Sequence, residues 1–358
     1  MQDRWRTRLR LALDATPWGG RNDQARRARR ARARRGPGGP FYIDLPDLTG
    51  RALRPVYLER NSRYATVTSV KLLDRETLVC ASFLERTLYL VRFDAVRRTH
   101  RILDAIPTTW RGTPVETDLA DADPTGTDIV LSNFHHGSFT HYRREGDRLR
   151  LASELDTGVG AKVHGVRFLD RRVFVGTLGS APTGVCFFDL ERGVPTLRLD
   201  LPLKAQDAAF LPGSFPSSSA PSAREMLVLA VHGAPRRQRQ APYASSIFRV
   251  RFDLAAGKTE VRESRRWEDT HFDACVTHAN RLYLTDQRND CVRVLDPSTL
   301  AEVDHIDGYD FPHGLDIGFG LLAVSNYGSN ALDLRPLDSE AQSEPSRVGS
   351  SGVEPPRT

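Results

Sequence analysis

The stretch FPHGLDIGFGLLAVSNYGSNALDL, from Phe311 to Leu334, reads as three short strands separated by tight turns. HGLDI is the first strand, LLAVSN the second and NALDL the third. Gly-Phe-Gly and Tyr-Gly-Ser stand between them, and turns of this composition join antiparallel neighbours. LLAVSN serves as a ruler for the rest of the chain. Earlier counterparts are LVCAS from Leu78, IVLSN from Ile129, VFVGT from Val173, LVLAV from Leu227 and LYLTD from Leu282. With the ruler itself, the unit occurs six times.

Each copy has a partner run upstream: SVKLL from Ser69, ADADP from Ala120, HGVRF from His164, QDAAF from Gln206, DACVT from Asp273 and HGLDI from His313. ADADP is a poor strand by composition and is placed by spacing. Each copy also has a third run, such as RTLYLVRFD from Arg86 or DCVRVLD from Asp290, and five carry a more polar fourth. A repeat of about 40 residues with four short strands is the pattern of propeller blades. The sixth copy lacks a fourth strand. The unused run ALRPVYLER, from Ala52, is the candidate to pair with that open edge and close the ring.

The expected fold is therefore all-β: a six-bladed propeller of four-stranded antiparallel blades over residues 41–337, closed by an N-terminal strand. Residues 1–40 and 338–358 read as disordered. The first of these segments is rich in arginine. Residues 1–36 hold twelve arginines against Asp3, Asp14 and Asp23, so the rest of the chain carries −3 of the formal +6. The arm offers a nucleic-acid contact through its arginines. Equally, it fits a chain that has only four lysines and favours arginine throughout. The body is mildly acidic and offers no large basic face.

No apolar run approaches the ~20 residues of a membrane helix, and no stretch has the layout of a secretory signal. A soluble, cytoplasmic protein with no membrane association is expected. Cys80, Cys186, Cys275 and Cys291 form no C-x-x-C pair and sit in apolar runs, so buried free thiols are expected.

The phrases HGLDIGFGLLAVSNYGSNAL and RLYLTDQRNDCVRVLD resemble the NHL and YVTN repeats of six-bladed propellers in the TolB-like group, which includes YncE-like and SMP-30/gluconolactonase-like proteins. The resemblance implies a central channel with a ligand site at one mouth. Pairing the start of each first strand with the end of each second gives Ser69 with Ser82, Ala120 with Asn133, and His164 with Thr177. It also gives Gln206 with Val231, Asp273 with Asp286, and His313 with Asn326. The ligand-binding candidates are His164, Gln206, Asp273, Asp286, His313, Asn326 and Asn133. Asp121, His135, His136, Asp207, His232 and His271 stand close enough in sequence to join them. Asp273, Asp286, Asn326 and His313 could together hold one divalent, calcium-like ion. The same residue types also satisfy loop amides at any propeller mouth.

Two functions follow. One is a scaffold that binds a protein or a small-molecule ligand at the channel mouth. The alternative is a metal-dependent hydrolase like the lactonase branch of SMP-30-like proteins, with Ser69 standing where that family has a glutamate.

Overall fold

The second strands explain the fold, because their side chains alternate between two gaps rather than between a core and water. The structure, a computed structural model, describes residues 41–44, 67–83, 85–158, 162–211, 223–232, 244–327 and 331–337. In LVCAS, Leu78 and Cys80 pack into one apolar cluster while Val79 and Ala81 pack into another. In LYLTD, Leu282 and Leu284 face one side and Tyr283 the other. A strand sandwiched between two sheets buries both faces. This is why the ruler reads as a nearly continuous apolar run.

After β1 (Phe41–Asp44), blade 1 comprises β2 (Val67–Leu72), β3 (Thr77–Ser82), β4 (Thr87–Asp94) and β5 (Thr99–Pro107). A small hairpin, β6 (Thr109–Trp110) and β7 (Thr113–Pro114), leads to blade 2: β8 (Thr117–Ala122), β9 (Asp128–Asn133), β10 (Ser138–Glu145) and β11 (Arg148–Asp156). Blade 3 holds β12 (Val163–Phe168), β13 (Val173–Leu178), β14 (Gly184–Asp189) and β15 (Val194–Asp200). Blade 4 holds β16 (Lys204–Phe210), β17 (Arg224–His232), β18 (Ala244–Asp253) and β19 (Lys258–Glu268). Blade 5 holds β20 (Phe272–His278), β21 (Arg281–Asp286), β22 (Cys291–Leu295) and β23 (Glu302–Asp307). Blade 6 holds β24 (Pro312–Gly318), β25 (Leu321–Asn326) and β26 (Ala331–Pro336).

Within each sheet the strands pair in sequence order, and the first strands β2, β8, β12, β16, β20 and β24 adjoin one another around a central channel. The described residues form six apolar clusters, one in each gap between neighbouring blades. The four cysteines are buried and free. No helix among the described residues is long and apolar enough to cross a membrane.

Closure comes from the N-terminal side, but through a shorter and earlier segment than expected. β1 pairs antiparallel with β26, from Phe41 opposite Leu334 to Asp44 opposite Ala331. The expected strand from Ala52 lies outside the described residues, as do the arginine-rich arm and the C-terminal tail. FYID has the alternation that this edge needs. Phe41 and Ile43 drop into the gap between blades 6 and 1 beside Val91, Leu332 and Leu334.

A repeated hydroxyl ties the blades together near one end of the channel. Ser132, Thr177, Thr285 and Ser325 each accept the backbone N–H of a residue on their own inner strand: Leu119, Gly165, Ala274 and Gly314. Each then donates to a carbonyl on the next blade's inner strand: His164, Gln206, His313 and Thr68. Two other joints use different groups. Thr68 Oγ1 donates to the Thr117 carbonyl at 3.2 Å, and Ser245 Oγ accepts the Phe272 N–H at 3.0 Å.

Blades approach so closely here that side chains are excluded at two points. A Cβ on Gly165 would stand 2.6 Å from the Gln206 carbonyl oxygen, and one on Gly314 would stand 2.7 Å from that of Thr68. Glycine therefore follows histidine in both HGV and HGL.

Ile43 is fully buried in the closing gap. Replacing it with alanine is expected to lower the unfolding free energy by roughly 2–5 kcal/mol, the usual range for deleting a large buried aliphatic side chain. Urea unfolding should show this as one cooperative transition at a lower midpoint. An unchanged midpoint would mean that β1 does not close the ring.

Candidate functional site

The inner strands all carry a register break near their start. Pairing with the second strand slips between Val67 and Ser69, Thr117 and Ala120, Val163 and Val166, Ala205 and Asp207, Phe272 and Cys275, and Pro312 and Leu315. Such a bulge inserts an extra residue and re-aims a side chain. Here Thr68, Asp118, His164, Gln206, Asp273 and His313 occupy the breaks, and all six line one cavity of about 380 Å³ at that end of the channel.

The breaks also correct the pairings expected from sequence. Ser82 stands opposite Val67, Asn133 opposite Thr117, Leu178 opposite Val163, Val231 opposite Lys204, Asp286 opposite Phe272 and Asn326 opposite Pro312. The extra residue in each strand contributes to displacements of one to three residues. Thr177 consequently serves as a joint hydroxyl. Ser69 and Ala120 give up their places in the ring to Thr68 and Asp118.

Four of the six side chains meet. His164 Nε2 lies 3.3 Å from Asp118 Oδ2 and 3.4 Å from Asp273 Oδ1. His313 Nε2 lies 3.1 Å from Asp118 Oδ1, and its Nδ1 lies 3.0 Å from Asp273 Oδ2. The two imidazoles stack at 5.7 Å between centroids, and Tyr327 stacks on the far face of His313 at 5.6 Å. His164 Nδ1 donates to the Gln206 carbonyl at 2.9 Å, which leaves Nε2 facing the carboxylates.

All four side chains are buried. Nevertheless Asp118 Oδ1, Asp273 Oδ2 and His313 Nδ1 make no aligned hydrogen bond. These atoms are held at ion-pair distance while pointing past one another.

Burial disfavours charge on both imidazoles, but the neighbouring carboxylates outweigh it. His164 is raised above the usual imidazole range by Asp118 and Asp273, and His313 is raised well above it by Asp273 and Asp118. Burial likewise opposes the Asp273 carboxylate, yet His313 and His164 hold it well below the usual range. His271, also on the cavity wall, is lowered by burial.

The other expected residues separate by position. Asn133, Asp286 and Asn326 each end a second strand, and they turn into local hydrogen bonds instead of the cavity. Asn133 Nδ2 donates to Ser138 and Thr140. Asp286 accepts from the backbone of His271, Arg288 and Asn289 and from the side chains of Asn289 and Arg293. Asn326 Oδ1 accepts the Asp310 N–H. The set Asp273, Asp286, Asn326 and His313 is thus not brought to one point.

His232 lines the cavity wall and pairs with Ser246. His135 pairs with Glu116 outside the cavity, and His141 pairs with Asp128. His136 is exposed, and partial desolvation and the neighbouring His135 lower it.

Asp121 and Asp207 belong to the opposite end. There Lys71 lies 2.8 Å from Asp121 and 3.2 Å from Asp316, while Arg167 lies 2.6 Å from Asp207. The three carboxylates also accept backbone N–H groups of the next blade: Phe168, Leu72 and Cys275. This network joins blades.

Sequence reasoning missed Asp118. The run Thr117–Ala122 carries two aspartates and reads as a poor strand, so its start was not visible. Ser132 marks it, because the N–H that this hydroxyl accepts belongs to the residue after Asp118.

No protein-family model and no curated protein sequence matches the chain. Among solved structures, the β-propeller domain of Cps50 (Swd1) from Myceliophteria thermophila aligns with a TM-score of 0.50 at 11% identity. That alignment spans 76% of this chain and 84% of that one. Hydrazine synthase from Kuenenia stuttgartiensis aligns with a TM-score of 0.50 at 12% identity, over 76% of this chain and 96% of that chain. At these identities the likeness is one of fold. The chain is a six-bladed β-propeller, an architecture widely used for binding.

The cluster makes stability depend on pH in a defined direction. Groups with raised folded values, His164 and His313, stabilise fully below the unfolded imidazole value of about 6.5 and lose that contribution as pH rises through their folded values. Asp273, lowered, contributes above about 3.9 and loses its share as pH falls through its folded value. In chelator-treated protein, urea unfolding should show stability declining as pH rises above the unfolded imidazole value of about 6.5, with a weaker decline in His313→Gln. A slope that is identical in the variant would remove the cluster as its source.

Proposed function

We propose that this propeller binds a small organic anion in the cavity at the bulged end of its channel. The supporting observation is the make-up of the wall. Phe83, Phe134, Phe311 and Tyr327 supply apolar surface, while Lys162 and Lys204 supply positive charge around the inner ring. Among the described lining residues the carboxylates are Asp118 and Asp273, and each faces the two imidazoles. Lys162 and Lys204 add positive charge to that wall. A concave site of this size with aromatic sides and a few convergent polar groups suits a small ligand better than a protein surface. Lys162 already lies 5.2 Å from the Phe134 ring, so charge and aromatic surface adjoin.

The hydrolase alternative, with a calcium-like ion on Asp273, Asp286, Asn326 and His313, draws less support, since Asp286 and Asn326 are engaged in their own turns.

The reading predicts selective stabilisation. A panel of aliphatic and aromatic monocarboxylates, each paired with its neutral amide, is screened by thermal melting in chelator-containing buffer. At least one acid should raise the melting temperature where its amide does not, as ligand binding to the folded state requires. The shift should shrink in a Lys162→Ala, Lys204→Ala double variant. Equal responses to acids and amides, or shifts that persist in the variant, would overturn an anion site.

A further inference from the structure

From the arrangement of Asp118, His164 and His313 we infer a binding site for a first-row transition-metal dication of the zinc, iron(II) or cobalt(II) kind at the floor of this cavity. It shares the cavity of the proposed anion site but rests on separate residues.

The geometry provides three lines of argument. First, one ligand atom from each of Asp118, His164 and His313 lies within 4.8 Å of the other two. Ligands about 2.0–2.1 Å from a tetrahedral zinc stand roughly 3.3 Å apart. The two imidazole Nε2 atoms lie 3.3 and 3.1 Å from the Asp118 carboxylate. Two histidines and one carboxylate on one side of an ion leave its remaining positions open.

Second, each imidazole has an acceptor behind it, hydrogen-bonded in the case of His164 and near but unaligned in the case of His313. A ligating histidine normally offers its other ring nitrogen to a carbonyl or carboxylate. His164 Nδ1 donates to the Gln206 carbonyl, and His313 Nδ1 lies 3.0 Å from Asp273. Asp273 is thus a positioning residue, and together with Asp118 it balances the charge of a dication.

Third, Asp118 Oδ1 is buried without an aligned hydrogen-bond partner, although His313 Nε2 is 3.1 Å away. Oxygen and nitrogen atoms that are close but misaligned suit a shared cation better than each other. The nitrogen ligands favour a transition metal over calcium, which prefers oxygen. Open positions on such an ion face the cavity, where it can bind an anionic group or polarise a carbonyl.

The test uses the untagged full-length chain, stripped with chelator and titrated calorimetrically with Zn²⁺, Co²⁺ and Ca²⁺. One equivalent of Zn²⁺ or Co²⁺ should bind, with Co²⁺ giving visible absorption, and Ca²⁺ should not compete. His164→Ala and His313→Ala should abolish the stoichiometric event. Asp273→Asn should weaken it by about 10–100-fold, as loss of an outer partner does. His305→Ala, a surface histidine beside Glu302 and Asp307, should change nothing.

Absence of stoichiometric binding to the parent protein overturns the site even if a variant fails to fold. Binding that survives in a folded His313→Ala protein is adventitious and also overturns it. The carboxylate screen is run in chelator, so the metal site and the anion site fail independently.

Discussion

At the head of each inner strand, two residues stand opposite one on the neighbouring strand, and the backbone there loses its regular ladder. Freed N–H and C=O groups inside a protein need other partners. In four blades a serine or threonine on the second strand takes the N–H of its own blade and gives its proton to a carbonyl of the next. The alternation of the second strand aims that hydroxyl into the gap. Ser132 shares its side with Val130, which packs against blade 3, and Thr285 shares its side with Tyr283, which packs against blade 6. The register break that these hydroxyls satisfy in four blades is present in all six, and it turns six side chains into the channel.

Those six side chains repeat with half-ring symmetry. Blades 1 to 3 present Thr68, Asp118 and His164, and blades 4 to 6 present Gln206, Asp273 and His313. Like groups then face each other across the axis, while each carboxylate reaches both imidazoles. Burying charge is costly unless opposite charge is adjacent, and this order places opposite charges next to one another. The far end of the channel solves the same problem differently. Lys71 and Arg167 neutralise aspartates that also hold the backbone of the next blade. At that end the charged groups also hold the backbone of the next blade, and at the bulged end they face one another across the cavity.

Much of this architecture was legible in the chain because its cause is local. Apolar runs of one length, recurring between Gly-, Asp- and Asn-rich turns, identify six sheets without any long-range information. His164, Gln206, Asp273 and His313 were legible for the same reason, since each opens a recognisable strand. What escaped was register. A bulge has no composition of its own here, so strand starts were paired one to three residues away from their true partners. Asp118 was lost behind a polar strand, and the closing strand was sought in a longer run than the four residues that β1 needs. The joint hydroxyls carry the missing signal, because each lies 11 to 13 residues beyond the N–H that it accepts.

The polar residues of the mouth also illustrate why residue type alone does not assign a site. Asp286 and Asp273 are both buried aspartates in blade 5, close together in space and sequence. The carboxylate of Asp286 is surrounded by donors from its own turn and from Arg293. That of Asp273 faces His164 and His313, which come from other blades. A carboxylate saturated by its own turn would have to break those bonds before binding anything else, and the turn would loosen with it. A carboxylate whose neighbours arrive from across the channel can exchange them for a ligand and leave every strand in place. Hydrogen-bond saturation, read residue by residue, thus separates the aspartates that build a turn from those that face the channel.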